Sequence, residues 1–237
     1  MSSEKVGQHI LHQFDDDLES IRNKVLHMGG LVEKQVENSL QALVNSDSSL
    51  AKQVAMNDDQ VNAMEVAIDE ECNHIIALRQ PAASDLRLVM AIIKTITDLE
   101  RIGDEAEKIG KFSIYLATEQ RDETYFIELK QLGEKVRKML RGSLDAFARM
   151  DVLNSYRIAA EDKYVNQQYD EITDQLISVM TADPEAVQRA LKVMWCARSL
   201  ERIGDHAKNI CEYVIFTVEG RDVRHARMQD EKFDELS

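Results

Sequence analysis

The sequence contains one hexapeptide twice, Leu-Glu-Arg-Ile-Gly-Asp, at residues 99–104 and again at residues 200–205. Each copy lies in a long segment whose apolar residues recur three and four positions apart, which predicts an α-helix. On a helix, the glutamate and the aspartate of each copy lie one turn apart on the same face, where like charges repel each other. The glycine costs the helix about 1 kcal/mol relative to alanine. Both copies therefore combine the same two locally unfavourable features, which indicates a reason beyond helix formation.

The hexapeptide belongs to a longer internal repeat. Identical residues between Gly29 and Asp47 and between Gly133 and Asp151 are separated by a constant offset of 104, and the match continues into the following helical segment. Beyond the loops that contain Pro81 and Pro184, the offset falls to 101, as expected from a deletion in a loop. We interpret the chain as a tandem duplication of a unit of three helices.

The predicted fold is all-α, with two tandem, sequence-related three-helix bundles and six long helices. In the first unit the periodicity predicts helices from Ile10 to Val44, from Leu50 to Pro81, and through the first hexapeptide to Ile109. We place the first bundle at residues 9–118, the second at residues 122–219, and a polar C-terminal tail at residues 220–237. Short connections between amphipathic helices favour antiparallel packing within each bundle.

The composition excludes several classes of protein. A net charge of −14 argues against nucleic-acid binding, which requires cationic side chains to neutralise phosphates. No apolar run approaches the roughly 18 residues of a membrane span, and the first ten residues lack the apolar core of a signal peptide. The three cysteines form no pair with metal-binding spacing, so we expect buried, reduced thiols in a cytoplasmic protein.

The carboxylates of the repeated hexapeptide are candidate metal ligands. Glu100 with Asp104, and Glu201 with Asp205, each supply two hard oxygen ligands one helical turn apart. A neighbouring acidic helix would complete the coordination, and the same spacing recurs in the preceding helix of the first unit at Glu65 and Asp69. The second unit has tyrosine and threonine at the positions equivalent to these two. Two other interpretations stay open: a solvated acidic face, and a glycine that simply allows two helices to approach closely.

Enzymatic activity is not predicted. A ferritin-like di-metal oxidase needs Glu-x-x-His on each of two helices, whereas only Glu71 and His74 fit, and Ser178 stands at the equivalent of His74. His206 is predicted to be a surface residue. No phosphate-binding glycine loop or nucleophile elbow is present in the sequence. A metal-storing or redox helical bundle remains the alternative function.

Two arginines are candidates for binding a partner. Arg87 follows the start of the third helix, and Arg149 precedes the break after the first helix of the second unit. Most such arginines are solvated or paired on the surface, but arginine is enriched at binding hot spots. Together with the neighbouring Asp85 and Ala148, they form the predicted partner-binding set.

Several segments are similar to the PhoU family, the accessory regulators of bacterial phosphate uptake. The similarity covers roughly residues 9–220. The segments that carry it are Arg79-Gln80-Pro81-Ala82-Ala83-Ser84-Asp85-Leu86-Arg87, Met28-Gly29-Gly30, Met64-Glu65-Val66-Ala67-Ile68-Asp69, Asp145-Ala146-Phe147-Ala148-Arg149-Met150-Asp151 and both hexapeptides.

This resemblance implies two three-helix bundles and a negative regulator of the phosphate-starvation response that also restrains phosphate uptake. The implied partners are the ATPase subunit of the phosphate ABC transporter and a phosphate-sensing histidine kinase. The resemblance also implies a homodimer, which associates with membrane complexes by binding their proteins. A divalent metal (Mg, Mn, Fe or Zn) is also implied, and the family motif adds Asn209 to Glu201 and Asp205. In the first unit Lys108 occupies that third position, where it cannot act as a ligand.

Overall fold

The structure, a computed structural model, describes residues 3–56, 59–118 and 123–223. Within these ranges it contains six long helices and no strand, which confirms the predicted all-α class. The helices are α1 (Ser3–Asn45), α2 (Ser48–Val54), α3 (Asp59–Arg79), α4 (Ala83–Leu116), α5 (Glu123–Arg149), α6 (Val152–Ala182) and α7 (Val187–Glu219). A single turn of 3-10 helix, Pro184–Ala186, precedes α7. The short helix α2 is additional to the six.

The corner after the first helix is built in the same way in both units. Ser46 and Met150, which are equivalent in the repeat, have positive φ angles of 53° and 52°. The next residue caps the following helix: the Asp47 carboxylate accepts from the backbone N–H of Leu50, and that of Asp151 accepts from the N–H of Asn154, each at 3.0 Å. Such caps satisfy N–H groups that have no partner inside the helix. The predicted break at this position is therefore confirmed.

The second helix of the first unit differs from the prediction, because it is divided. The pattern predicts one helix from Leu50 to Pro81, whereas α2 ends at Val54 and α3 begins at Asp59. The equivalent helix α6 is continuous. Glu161 of α6 is a better helix former than its counterpart in the first unit, Asn57, which lies outside the described residues.

The two units pack side by side around four central helices. Helix α1 of the first unit contacts α5 of the second, and α4 contacts α7. The interface between α4 and α7 is the most extensive one between described helices. Helix α3 packs on the outside of α1 and α4, and α6 packs on the outside of α5 and α7. Residues 119–122, between the two units, and most of the predicted tail (residues 224–237) lie outside the described residues. Among the described helices, none is long and apolar enough to cross a membrane.

The α1–α5 contact shows that the units are related by approximate two-fold symmetry. A Cβ on Gly29 would lie 2.6 Å from Cδ2 of Leu144, and a Cβ on Gly133 would clash with Cδ2 of Leu40. The offset of 104 relates the two glycines to each other and the two leucines to each other. In both copies of this contact, a glycine of one unit packs against a leucine of the other, and the helices approach closely.

The predicted buried cysteines are confirmed. Cys72, Cys196 and Cys211 are free thiols in the core. Burial raises the pKa of Cys72 and of Cys211 to about 12, so both carry neutral thiols at physiological pH. They act as packing residues.

Candidate functional site

The two hexapeptides meet where α4 crosses α7. Ile102 and Ile203 are fully buried, and the helices run antiparallel across them. Two polar contacts between the helices flank this point: the Asp98 carboxylate lies 2.7 Å from Nδ1 of His206, and the Ser199 hydroxyl donates to Glu105 at 2.7 Å. The offset of 101 relates Asp98 to Ser199 and Glu105 to His206, so the two contacts are equivalent in the repeat. The repeated motif therefore marks the approximate two-fold axis of the molecule.

Glu105 is a buried acceptor that joins the two units. Its carboxylate accepts from Ser199 and Arg202 of α7 and from Lys108 of its own helix, the last two at 3.1 Å and 3.0 Å. Burial by itself would raise the pKa of Glu105, but these hydrogen bonds outweigh burial and the pKa is lowered. The residue is therefore a charged structural link at neutral pH.

The second-unit carboxylates lie against an acidic residue of α6. Burial raises the pKa of Glu201, and the charges of Asp205 and Asp162 raise it further. The pKa of Asp205 is raised by burial first and by Asp162 next. Three carboxylates from two helices therefore repel one another in a partly desolvated space, which is one of the environments that shift pKa values at functional sites.

Two basic residues compensate for this repulsion. Arg198 donates to Oε1 of Glu201 at 2.7 Å, and Lys208 donates to Oδ2 of Asp162 at 2.9 Å. The other carboxylate oxygen of each acid is buried and has no hydrogen-bond partner among the described residues. These two oxygens, together with Asp205, have the hard-donor chemistry that suits a divalent cation.

The described geometry does not by itself form a metal site. Within residues 3–56, 59–118 and 123–223, no group of three or more His, Cys, Asp or Glu side chains is arranged to hold an ion. Asn209, the third member of the motif, donates instead to Asp98 at 3.2 Å. The carboxylates have suitable chemistry, but one oxygen of Glu201 and one oxygen of Asp162 already accept from Arg198 and Lys208.

The first-unit candidates are distributed differently. Glu100 and Asp104 are half-buried on α4, and Glu65 and Asp69 are half-buried on α3. Asp69 accepts from Asn73 of its own helix at 3.0 Å. Lys108, which replaces the family's third ligand, is bonded to Glu105. Asp58, the counterpart of Asp162, lies outside the described residues, so the metal assignment in this unit stays a prediction.

The glycine of the second hexapeptide has a packing role. A Cβ on Gly204 would lie 3.2 Å from Cγ1 of Val165 in α6 and 3.9 Å from Cγ2 of Val136 in α5. The close approach brings the carboxylates of α7 next to Asp162. Close helix packing, one of the interpretations left open by the sequence, therefore accounts for this glycine whether or not a metal binds.

The prediction for His206 was wrong. Its side chain is only 16% exposed and is bonded to Asp98 across the α4–α7 interface. Sequence reasoning also missed Asp98, Glu105 and Asp162 as parts of this network. Asp162 could have been found, because the repeat preserves an aspartate at residues 58 and 162.

The predicted partner-binding residues lie in two different environments. Arg87 is half-buried and donates from Nε to the backbone carbonyl of Thr217, near the C-terminus of α7, at 3.3 Å. Asp85, in the first turn of α4, accepts from Ser84 at 3.3 Å. Arg149 is exposed, with Asp145 at 3.7 Å, and the carbonyl of Ala148 accepts from Arg22 at 2.9 Å. Arg87 therefore has a structural role that Arg149 lacks.

Comparison with known proteins identifies the family. The family described as "PhoU domain" matches the chain twice, at residues 25–113 and 129–214. The chain belongs to the PhoU family. The two matches coincide with the two units of the internal repeat, so each three-helix bundle of this PhoU-family chain is one copy of the domain.

Curated relatives match nearly the whole chain. A Pseudomonas aeruginosa protein named phosphate-specific transport system accessory protein PhoU homolog is 48% identical over 234 residues, covering 98% of this chain and 97% of the relative. The Escherichia coli protein named phosphate-specific transport system accessory protein PhoU is 49% identical over 225 residues, covering 95% of this chain and 93% of the relative.

Solved PhoU structures have the same fold. The crystal structure of PhoU from Pseudomonas aeruginosa matches with a TM-score of 0.85 at 49% identity, covering 88% of this chain and all of that one. The phosphate transport system regulatory protein PhoU from Streptococcus pneumoniae matches with a TM-score of 0.82 at 29% identity, covering 89% of this chain and 99% of that one. The chain therefore has a role in regulating phosphate transport.

Proposed function

We propose that this protein is a negative regulator of the phosphate-starvation response and of phosphate uptake. It acts by protein–protein contacts that connect the phosphate ABC transporter, through its ATPase subunit, to a sensor histidine kinase. The observation that supports this proposal is the match over 98% and 95% of the chain to proteins named as accessory proteins of phosphate-specific transport.

In this proposal the protein works in the cytoplasm as a homodimer and reaches the membrane by binding membrane-associated proteins. It performs no chemistry on phosphate, whose negative charge is repelled by a chain of net charge −14. The exposed Arg149 is a partner-facing residue, whereas Arg87 contributes by holding the end of α7.

The first test is a phosphate-starvation reporter in cells that lack this chain. In phosphate-rich medium we expect the reporter to stay active, because the repressing contact is missing, and to fall silent when the gene is returned. A reporter that is silent in the deletion strain would contradict the proposed function. Reporter activity in phosphate-poor medium is the control that the response itself is intact.

We also propose that the second-unit carboxylates bind a divalent metal, with magnesium, manganese, iron and zinc as candidates. The support is the raised pKa values of Glu201 and Asp205 and the buried, unpartnered oxygens of Glu201 and Asp162. A cation would neutralise the repulsion among these acids. Its role would be structural, fixing α6 against α7 and the surface that they present.

Asp205→Asn tests this assignment through stability. Because the pKa of Asp205 in the folded state is raised above its ordinary value of 3.8, ionisation costs stability as the pH rises from that value through the folded pKa. We therefore expect the variant to melt about 2 °C higher than the metal-free wild type at pH 7, with the difference disappearing below about pH 4. Thermal unfolding at the two pH values measures it, with the exposed Asp170→Asn as the matched control.

Added manganese or magnesium should raise the melting temperature of the wild type and of Asp170→Asn but not that of Asp205→Asn. A wild-type melting temperature that does not respond to any of the four metals would contradict the metal proposal. The regulatory function would not be affected by that result.

A further inference from the structure

The solvent-facing side of α4 and α7 concentrates cations, although the chain as a whole has a net charge of −14. We call this surface the α4–α7 face. It is defined by Lys94, Arg101, Lys192, Trp195, Arg198 and Arg202. The face runs along both sides of the approximate two-fold axis. It lies outside the set of residues that the sequence predicted to bind a partner.

In the ion pairs of this face, the carboxylates are buried and the cations are exposed to solvent. The side chain of Arg202 is 49% exposed and that of its partner Glu105 is 6% exposed. For Arg198 and its partner Glu201, the values are 46% and 11%. In each ion pair the carboxylate lies on the protein side of the arginine. The group that an approaching molecule contacts is therefore the guanidinium.

Divergence of the repeat leaves Arg101 without an ion pair among the described residues. Arg202 of the second unit is paired with Glu105. Its counterpart in the first unit is Arg101, and the residue equivalent to Glu105 is a histidine, His206, instead of a carboxylate. Arg101 is exposed, and within the described part of the chain it forms no ion pair. A guanidinium group in this state can donate two parallel hydrogen bonds to an incoming carboxylate.

Aromatic rings and lysines stand at both ends of the face. At one end, Nζ of Lys192 lies 4.3 Å from the ring centroid of Trp195, which stacks against Phe112 at 5.3 Å. At the other end, Nζ of Lys94 lies 5.5 Å from the ring centroid of Tyr213. The repeat relates Phe112 to Tyr213. Trp195 is 41% exposed, so its ring offers apolar contact area beside the cations.

We propose that the α4–α7 face binds an acidic, partly apolar segment of a partner protein. This inference rests on the proposed function and adds to it the contact surface and the chemistry of the partner. Carboxylates of the segment pair with Arg101, Arg198 and Arg202, and apolar side chains pack on the exposed ring of Trp195. From Lys94 to Phe112 the face extends about 27 Å, the length of about five turns of helix.

Trp195 is the only tryptophan of the chain, so its fluorescence reports on this face alone. The probe is a synthetic helical peptide of about 18 residues with glutamates on one side and leucines on the other. We expect a saturable change in Trp195 emission with this peptide, weakened as salt rises from about 0.1 M to about 1 M. The same peptide with lysine in place of glutamate should give no saturable change.

The test variant is Arg101→Glu with Lys192→Glu, because neither side chain forms an ion pair within the described residues. The matched control is Lys138→Glu with Arg141→Glu, two exposed cations of α5 with the same total change in charge. We expect the test variant to bind the acidic peptide at least tenfold more weakly and the control to bind it like the wild type. Circular dichroism verifies that both variants fold.

Three results of the binding experiments would overturn the proposal, and so would dissociation of a dimer by the test variant. The three binding results are the absence of a saturable change with the acidic peptide, a change only with vesicles that contain phosphatidylglycerol, and equal affinity of the test and control variants. The second result would assign the face to an anionic membrane surface. Sedimentation of the wild type and the test variant, each without peptide, tests whether a second copy of the chain binds the face. Dissociation of a dimer in the test variant would assign the face to that second copy.

Repression in cells separates this proposal from the regulatory function. If the wild type silences the reporter and the test variant does not, while the control variant does, the face is required for regulation. If all three silence the reporter, the face is not the regulatory surface and the proposed function stands. If the wild type itself fails, the proposed function is wrong, whatever the peptide titration shows.

Discussion

Replacing Gly204 by leucine should lower the free energy of unfolding by about 3 kcal/mol. A Cβ at this position would already lie 3.2 Å from Cγ1 of Val165, and the rest of a leucine side chain would have to occupy the space between α6 and α7. The β-branched Val165 is buried and stiff about χ1, so it cannot rotate out of the way cheaply. The helices must separate, and the contact between Asp162 and the α7 carboxylates is disturbed with them.

Gly30→Leu is the matched control, because Gly30 is also helical, but no atom of the described residues lies within 4 Å of a Cβ at its position. There the same substitution should raise stability by about 0.5 kcal/mol, since leucine is a better helix former than glycine. Urea unfolding of the two variants measures the difference. Equal stabilities would show that α6 does not approach α7 as closely as described.

The second large effect is expected at the α4–α7 interface, where His206→Ala should cost about 2–3 kcal/mol. Asp98 is buried. Within the described part of the chain, one of its carboxylate oxygens has no hydrogen-bond partner, and the other is shared by His206 and Asn209. Removing the imidazole leaves a buried carboxylate with a single donor. Equilibrium unfolding at neutral pH, followed by circular dichroism, measures this cost.

The double variant Asp98→Asn with His206→Ala identifies the source of the loss. Because an amide carries no charge to desolvate, we expect the double variant to recover part of the stability that the single variant loses. If the two substitutions are simply additive, the Asp98–His206 contact contributes nothing to the link between the units. Arg149→Ala should change stability by less than about 0.5 kcal/mol, because Arg149 is exposed and its ion pair with Asp145 is long, at 3.7 Å.

The sequence alone determined the helical class, the duplication and the number of long helices. Helical periodicity is a local property, and Asp47 and Asp151 act as caps through hydrogen bonds to the next few residues. Such features are encoded within one or two turns of chain and can be read without a tertiary structure. The divided second helix was missed, because Leu50 and Val54 continue the apolar pattern into the next segment.

The tertiary structure decided how the repeated motif is used. Spacing along one helix indicated that Glu201 and Asp205 share a face, but it could not place Asp162 of α6 beside them or turn Asn209 toward Asp98. The prediction that His206 lies on the surface also failed, because the contact of His206 with Asp98 depends on the packing of α4 against α7. Helix packing brings together residues about a hundred positions apart, and burial and charge at those contacts depend on the whole fold. The sequence therefore determined the helices and their repetition, whereas the packing of α4, α6 and α7 determined which of their polar residues act together.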